Sequence, residues 1–280
     1  MPELPEVETV RRGLHQRFVG RRIERVEVGR ERTVRRTSRE ALIDGLTGAT
    51  ALSAQRRGKY LILPLDTGES LMIHLRMSGR VLVDSADTPR VAHTHVVLHL
   101  EDPIGEELRF VDPRTFGEVV VFDPANAAVE MPELARLGVD PIADGLERNQ
   151  LARLLGTRAR QMKALMLDQS VIAGIGNIYA DEILHAARVR HDRLSNSLKP
   201  AEITRLHAAI GDILTAAIEA GGSTLKDTQY VDIGGEGGWF QVSHRVYDRG
   251  GQPCLTCAKA KIQQVTSGGR TTSFCPRCQR

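Results

Sequence analysis

Residues 1–10 read MPELPEVETV. Chain ends are commonly frayed and tolerant of change, so a tip this particular asks for a reason. The apolar positions Val7, Val10, Leu14 and Phe18 recur at helical spacing. Pro5 suits a first helical turn, where its missing N–H costs little. Glu6 and Glu8 sit near the positive end of the helix dipole, and Gly20 closes the element. This predicts a helix over 5–18. It accounts for the stretch apart from Pro2 and Glu3, which precede the helix.

Outward from that helix the period changes. Between residues 22 and 122 the runs IERVEV, YLILPL, SLMIHL, RVLV, HVVLHL, LRFV and EVVVF are short, β-branched or alternating, with Gly and Asp turns between them. They predict antiparallel strands in a sandwich. Residues 123–144 carry several prolines and read as a connection. Beyond residue 146 the pattern is helical: LERNQLARLLG, the stretch 162–167, IYADEILHAARV, and PAEITRLHAAIGDILTAAIEAGG, which stops on Gly221 and Gly222. A glycine-rich stretch, IGGEGGWF, follows and is expected to move. The expected class is α+β: an N-terminal antiparallel β-sandwich with flanking helices, a helical C-terminal part and a cysteine-bearing hairpin. The expected boundaries are 1–123, 124–146, 147–243 and 244–280.

The 280 residues are 41% hydrophobic and 26% charged, which suits two globular domains with real cores. No apolar run is long enough to cross a bilayer, and the start lacks the basic-then-apolar pattern of a secretory leader. These features place the protein in the cytoplasm. The formal charge is only +3, but it is unevenly spread. Arg245, Arg249, Lys259, Lys261, Arg270, Arg277 and Arg280 stand against Asp248 in the last segment, and 30–39 is rich in arginine. Such surfaces can neutralise phosphates; a solvated basic face accounts for them equally well.

The four cysteines all fall in the last 27 residues, as C254-L-T-C257 and C275-P-R-C278. Two such knuckles across a hairpin-length gap match a tetrahedral zinc site of Cys254, Cys257, Cys275 and Cys278. With four sulfur ligands no position stays open for substrate, so the one zinc is structural. It would brace the hairpin SGGRTTSF, with Arg270 at the turn beside Gly268 and Gly269, placed to reach a phosphate or a base.

MPELPE at the start, GNIYADE on a helix and a C-terminal four-cysteine finger now stand together. With RRGKY, HLRMSG, DPRTFG and GGSTLKD in the same order, the whole chain resembles the bacterial formamidopyrimidine-DNA glycosylases. Enzymes of this family excise oxidised purines such as 8-oxoguanine and formamidopyrimidines. The resemblance implies that Met1 is removed and that the Pro2 amine forms a Schiff base at C1′ of the damaged nucleotide. Glu3 is implied as the neighbouring acid–base group. Lys59 would contact phosphate and aid base release, and Arg270 would bind the phosphates flanking the lesion, giving β,δ-elimination lyase activity as well. Met77, Arg114 and Phe116 match the set that fills the hole left by a flipped base. His93, Arg158, Asn177 and Tyr247 fall at DNA-contact positions, with His74 and Lys261 as weaker candidates. Ser223, Thr224 and Lys226 would belong to a lid over the flipped base. The implied partner is damaged double-stranded DNA, bound by a monomer, at the bacterial nucleoid.

Two departures bear on lesion preference. Thr115 stands where the family often has a second basic residue, and Trp239 is unusual in its stretch. An endonuclease VIII-like enzyme for oxidised pyrimidines would share Pro2, Glu3, Lys59 and a finger arginine, but commonly has glycine where this chain has Leu4. A non-catalytic DNA-binding protein on the same scaffold would have lost the catalytic set. A zinc-ribbon protein of another kind would explain the tail and not the start.

Overall fold

The computed structural model describes residues 1–101, 105–157, 159–225 and 230–280. The chain divides into two compact units, Met1–Arg136 with Ala220–Trp239, and Leu137–Glu219 with Phe240–Arg280.

The first unit opens with α1 (Leu4–Arg17), whose N-cap is Glu3 and whose first turn holds Pro5. There follow β1 (Ile23–Val28), α2 (Arg39–Leu46), β2 (Gln55–Arg57), β3 (Tyr60–Pro64), β4 (Ser70–His74), β5 (Arg80–Ser85), β6 (Thr94–Leu100), β7 (Glu106–Val111) and β8 (Glu118–Phe122). Two short helices, α3 (Ala127–Glu130) and α4 (Pro132–Ala135), follow the last strand. Among the described residues the strands form two four-stranded antiparallel sheets, in the orders β1-β6-β7-β5 and β2-β3-β4-β8. Alternation along each strand sends one set of side chains inward. Val26, Val81, Leu98 and Phe110 from one sheet meet Leu61, Leu71, Ile73 and Val121 from the other in one core. The apolar stripe of α1, read from its spacing, enters the same core through Val7, Val10, Leu14 and Phe18. Strand β2 escapes the sequence pattern because it is three polar residues long and, among the described residues, paired only to β3.

The segment Ala220–Trp239 is built into this unit by Tyr230 and Ile233, both core residues. The Val83 N–H donates to the Ile233 carbonyl at 2.9 Å. Ile233 covers Gly13 so closely that a Cβ there would lie 2.6 Å from it, which is why α1 carries a glycine on that face. The glycine-rich stretch is shaped by Asp232, whose carboxylate accepts the N–H groups of Gly234 and Glu236 at 2.9 Å each.

The second unit contains α5 (Arg148–Gly156), α6 (Met162–Met166), α7 (Asn177–Ala186) and α8 (Pro200–Glu219), then the hairpin β9 (Gln263–Ser267) and β10 (Arg270–Phe274). Leu206, Ile210, Leu214 and Ala217 form the buried stripe of α8. Helix α7 is buried along its whole 178–185 stretch, polar residues included. A helix buried on all sides must give its acids and its histidine internal partners, and those partners are Lys163 of α6 and groups of the C-terminal segment. Gly138 is required by contact: a Cβ there would sit 2.3 Å from the Val171 carbonyl oxygen.

Replacing the wholly buried Phe18 with alanine removes the plug between α1 and the sandwich. Such a cavity costs about 3–5 kcal/mol, and chemical denaturation of Phe18→Ala should show a loss of that size.

Candidate active site

The N-terminal tip is packed rather than frayed. Pro2 is buried, and Glu3 is 3% exposed. Glu3 and Glu6 close a reciprocal capping box, in which the Glu3 N–H donates to Glu6 Oε2 at 2.8 Å. The other Glu6 oxygen accepts the Ser223 N–H at 2.7 Å. Glu6 therefore joins the head of α1 to the start of the returning segment. Gly222 makes room for it, at φ +80° with Glu6 Oε1 2.8 Å from where a Cβ would be. Thr224 closes the base of that segment: its hydroxyl donates to the Tyr230 carbonyl at 2.9 Å and accepts the Gly238 N–H at 2.8 Å. The Tyr230 hydroxyl donates to the Gly221 carbonyl at 2.9 Å.

Lys59 stands at the turn between β2 and β3 and is 7% exposed. Its hairpin is tied to α1 by Arg56, which donates to Glu8 at 3.1 Å and to the Gly58 carbonyl at 2.9 Å. Burial pulls the Glu8 carboxyl upward, but Arg11 and Arg56 outweigh it and hold the group below its ordinary value. Behind Lys59, Tyr60 stacks on His74 at 4.2 Å between centroids. His74 is 5% exposed, and its Nδ1 has no hydrogen-bond partner among the described residues. Burial, reinforced by Arg76 and Lys59, pushes its pKa well down, so the ring is neutral.

A second cluster in this unit carries the apolar side chains. Met77 and Phe116 are 37% and 38% exposed. Arg114 lies over the Phe116 ring at 5.0 Å. Asp112, wholly buried, organises both loops. It accepts from the Ser78 hydroxyl at 2.5 Å and from the backbone N–H groups of Arg114 and Gly117 at 3.2 and 2.7 Å. Its own N–H donates to the carbonyl of His93 at 3.0 Å. Arg76, His93 and Thr115 all have left-handed φ, at 52°, 67° and 57°. Non-glycine residues rarely hold that conformation unless the surroundings enforce it, and such strain collects at functional loops.

Two of the five arginines in the 30–39 stretch, Arg35 and Arg36, are committed within the protein. Arg35, Arg36 and Arg76 converge on Glu118, and Arg36 also reaches Glu133 at 2.6 Å.

In the second unit the candidates gather around α7. Asn177 begins the helix, and its Oδ1 is buried without a partner among the described residues. Glu182 accepts three consecutive backbone N–H groups, those of Arg245, Val246 and Tyr247, at 2.8–2.9 Å, which fixes Tyr247. Asp181 accepts the Ser273 N–H of β10 at 2.8 Å and pairs with Lys163 at 2.7 Å. Burial pushes the Asp181 carboxyl up to about 6 against the pull of Lys163. Arg270 is exposed at the hairpin turn, where Gly268 and Gly269 take φ of 56° and 73°, as a two-residue hairpin requires. Lys261 is exposed on the finger. Arg158 and Lys226 lie outside the described residues.

Below the hairpin the Cys254–Cys278 and Cys257–Cys275 sulfurs are each 3.8 Å apart, and all four lie within 4.8 Å of one another. Metal–sulfur bonds of ~2.3 Å in a tetrahedron imply sulfur separations of ~3.8 Å. The site thus has zinc's size and shape.

Residues 1–119 match the family model described as the formamidopyrimidine-DNA glycosylase N-terminal domain, and 137–229 the H2TH domain of the same enzymes. Residues 251–280 match the zinc finger found in FPG and IleRS. The formamidopyrimidine-DNA glycosylase of Desulfitobacterium hafniense is 41% identical over 279 residues, covering 100% of both chains. The chain belongs to the formamidopyrimidine-DNA glycosylase family. The enzyme of that name from Acidiphilium cryptum is 44% identical over 285 residues, again with 100% of both covered. Among solved structures, Lactococcus lactis Fpg in complex with abasic-site DNA superposes with a TM-score of 0.89 at 34% identity, over 99% of each chain. The wild-type Lactococcus lactis Fpg with N7-benzyl-Fapy-dG DNA gives 0.89 at 35%, over 100% of each. The four cysteines hold one structural zinc ion.

The sequence reading left out Asp112, Ser78, Arg56, Lys163 and Asp181, and gave Glu6 and Glu8 only a dipole role. Only Asp112 had a local signal, as the aspartate opening an Asp-Pro turn.

Two outcomes follow. Cys275→Ser should lose zinc, measured by metal analysis, and should melt the finger while the circular dichroism of the sandwich persists. His244 is 5% exposed beside Phe240 and Tyr247, and burial depresses its pKa to about 4. The unfolded chain therefore binds the extra proton first. Stability is whole above pH 6.5 and falls by about 1 kcal/mol per unit as pH drops toward 4. Thermal melts of the parent should show this acid slope, and His244→Gln should flatten it.

Proposed function

We propose that the chain is a bifunctional DNA glycosylase and abasic-site lyase of base-excision repair, which removes 8-oxoguanine and formamidopyrimidines from double-stranded DNA. The observation that carries this reading is the burial of Pro2 and Glu3 directly behind an exposed Met1. Pro2 and Glu3 sit at the packed head of α1, cross-tied through Glu6, where an inert chain end would fray.

Removal of Met1 makes the Pro2 nitrogen a secondary amine. A terminal amine has a lower pKa than a lysine side chain, so more of it is neutral at pH 7. It attacks C1′ of the damaged nucleotide; the bond from C1′ to the base breaks, and the base leaves with the electron pair and takes up the proton that the Pro2 nitrogen sheds. Glu3 delivers a proton to the ring oxygen as the sugar opens, leaving a Schiff base between Pro2 and C1′. Loss of a C2′ proton then expels the 3′ phosphate, and a second elimination expels the 5′ phosphate. Hydrolysis of the iminium frees Pro2 and leaves a one-nucleotide gap with phosphate at both ends. Lys59 contacts phosphate and assists base release, and Arg270 binds the phosphates flanking the lesion. Zinc supplies no step; it holds the finger.

A base inside a duplex must be flipped out to be reached. Met77 and Phe116 offset the lost stacking, and Arg114 hydrogen-bonds the orphaned cytosine. His93, Arg158, Asn177 and Tyr247 contact the backbone, and the N-terminus of α7 favours a phosphate beside Asn177. Ser223, Thr224 and Lys226 belong to the lid, with Ser223 and Thr224 at its anchored base. The functional parts are the sandwich 1–123, the connection 124–146, the helical DNA-binding part 147–243, whose 220–239 stretch packs into the sandwich unit, and the finger 244–280. The protein works as a monomer in the bacterial cytoplasm, on the nucleoid.

Borohydride trapping on a duplex with 8-oxoguanine opposite cytosine, with the intact protein mass recorded, tests the reading. A covalent adduct on Pro2, in protein lacking Met1, is expected. An adduct only on an oxidised-pyrimidine duplex would move the substrate class. No adduct on either duplex from zinc-loaded protein lacking Met1 would exclude the Schiff-base mechanism.

A further inference from the structure

The buried pair of Lys163 and Asp181 has no part in the chemistry above. Both residues are almost wholly buried, at 3% and 1% exposure, on α6 and α7. Their charged atoms meet at 2.7 Å. Each also reaches β10: the Lys163 ammonium donates to the Thr271 carbonyl at 3.0 Å, and the second Asp181 oxygen accepts the Ser273 N–H at 2.8 Å. The carbonyl of one strand residue and the N–H two residues later point to the same side. The pair therefore grips one edge of β10, the edge turned away from β9.

That edge is the weak part of the finger. The hairpin is a two-stranded sheet, and an isolated pair of strands is marginal in water. Zinc fixes only its base. From Ser273 to Arg270 the strand runs on for roughly 10 Å at ~3.3 Å per residue. A small rotation at the zinc knuckle would swing the arginine off its target. Thr271, held by Lys163, is the residue next to Arg270. Lys163 and Arg270 also line the same open cavity, about 330 Å³, with Arg160, Asp168, Ser267 and Gly268.

We propose that Lys163 and Asp181 are positioning residues that fix the finger arginine Arg270 by clamping the edge of its strand. This rests on the reading of Arg270 as a phosphate-binding group for the lyase and glycosylase steps.

The test combines amide hydrogen exchange with kinetics on zinc-loaded protein. In Asp181→Asn, exchange at 270–273 should quicken at least tenfold while the amides of Cys275 and Cys278 keep their protection and zinc content stays at one. kcat/KM on lesion DNA should fall about ten- to a hundredfold, and Arg270→Ala combined with Asp181→Asn should be no worse than Arg270→Ala alone. The neutral pair Lys163→Gln with Asp181→Asn keeps a donor and an acceptor for the strand without stranding a buried charge, and should recover part of the loss. Unchanged exchange at 270–273 in Asp181→Asn overturns the inference whatever the activity. Loss of zinc from both the single variant and the neutral pair also overturns it, because the pair would then hold the whole finger rather than its tip. If Arg270→Ala turns over lesion DNA like the parent while exchange in Asp181→Asn is quickened, the clamp stands and the reading of Arg270 falls.

Discussion

Asp112 lies with no exposed surface, accepting the backbone N–H groups of Arg114 and Gly117 and the hydroxyl of Ser78. The same device recurs at each working part of the molecule. Glu6 takes the N–H groups of Glu3 and Ser223. Glu182 takes three in a row before Tyr247, and Asp181 takes that of Ser273. A loop has no core of its own, and its backbone donors must be satisfied somewhere. A buried carboxylate satisfies several at once with charge-assisted bonds, and so fixes the loop's shape. The arginines, histidines and apolar tips that face outward depend on these acids beneath them.

The arrangement also separates two kinds of charge. A surface that meets phosphates must be positive, yet bare carboxylates there would repel the ligand. Here the organising acids are buried and already bonded, while Arg114 and Arg270 remain exposed. Some of the positive charge seen in the sequence is unavailable for the same reason. Arg35, Arg36 and Arg76 answer Glu118, so the density of arginines over 30–39 overstates the basic surface.

Strain falls where the loops are shaped most tightly. Arg76 and Thr115 hold left-handed backbone on the two loops that carry Met77, Arg114 and Phe116, and the β6–β7 ladder slips between Thr94 and Val96, beside His93. Bulges and left-handed residues re-aim side chains at a cost that the surrounding hydrogen bonds must cover. That holds the exposed Met77, Arg114 and Phe116 in shaped loops on the sandwich.

The sequence by itself determined the helix of α1, most of the strands, the helical second half and the zinc knuckles, because each is written in local spacing: a period of 3.6, a period of two, or Cys-x-x-Cys. Motif order also made the family and its catalytic candidates legible. The clamp of Lys163 and Asp181, the Asp112 hub, the Glu8–Arg56 tie and the return of Tyr230 and Ile233 into the first core were decided only by tertiary structure. Where they span elements the partners are 18 to 220 residues apart, from Lys163 with Asp181 to Gly13 with Ile233, and Glu6 to Ser223 spans 217. A buried acid looks like any surface acid in a sequence. Its burial and its donors come from chain segments that meet only after folding.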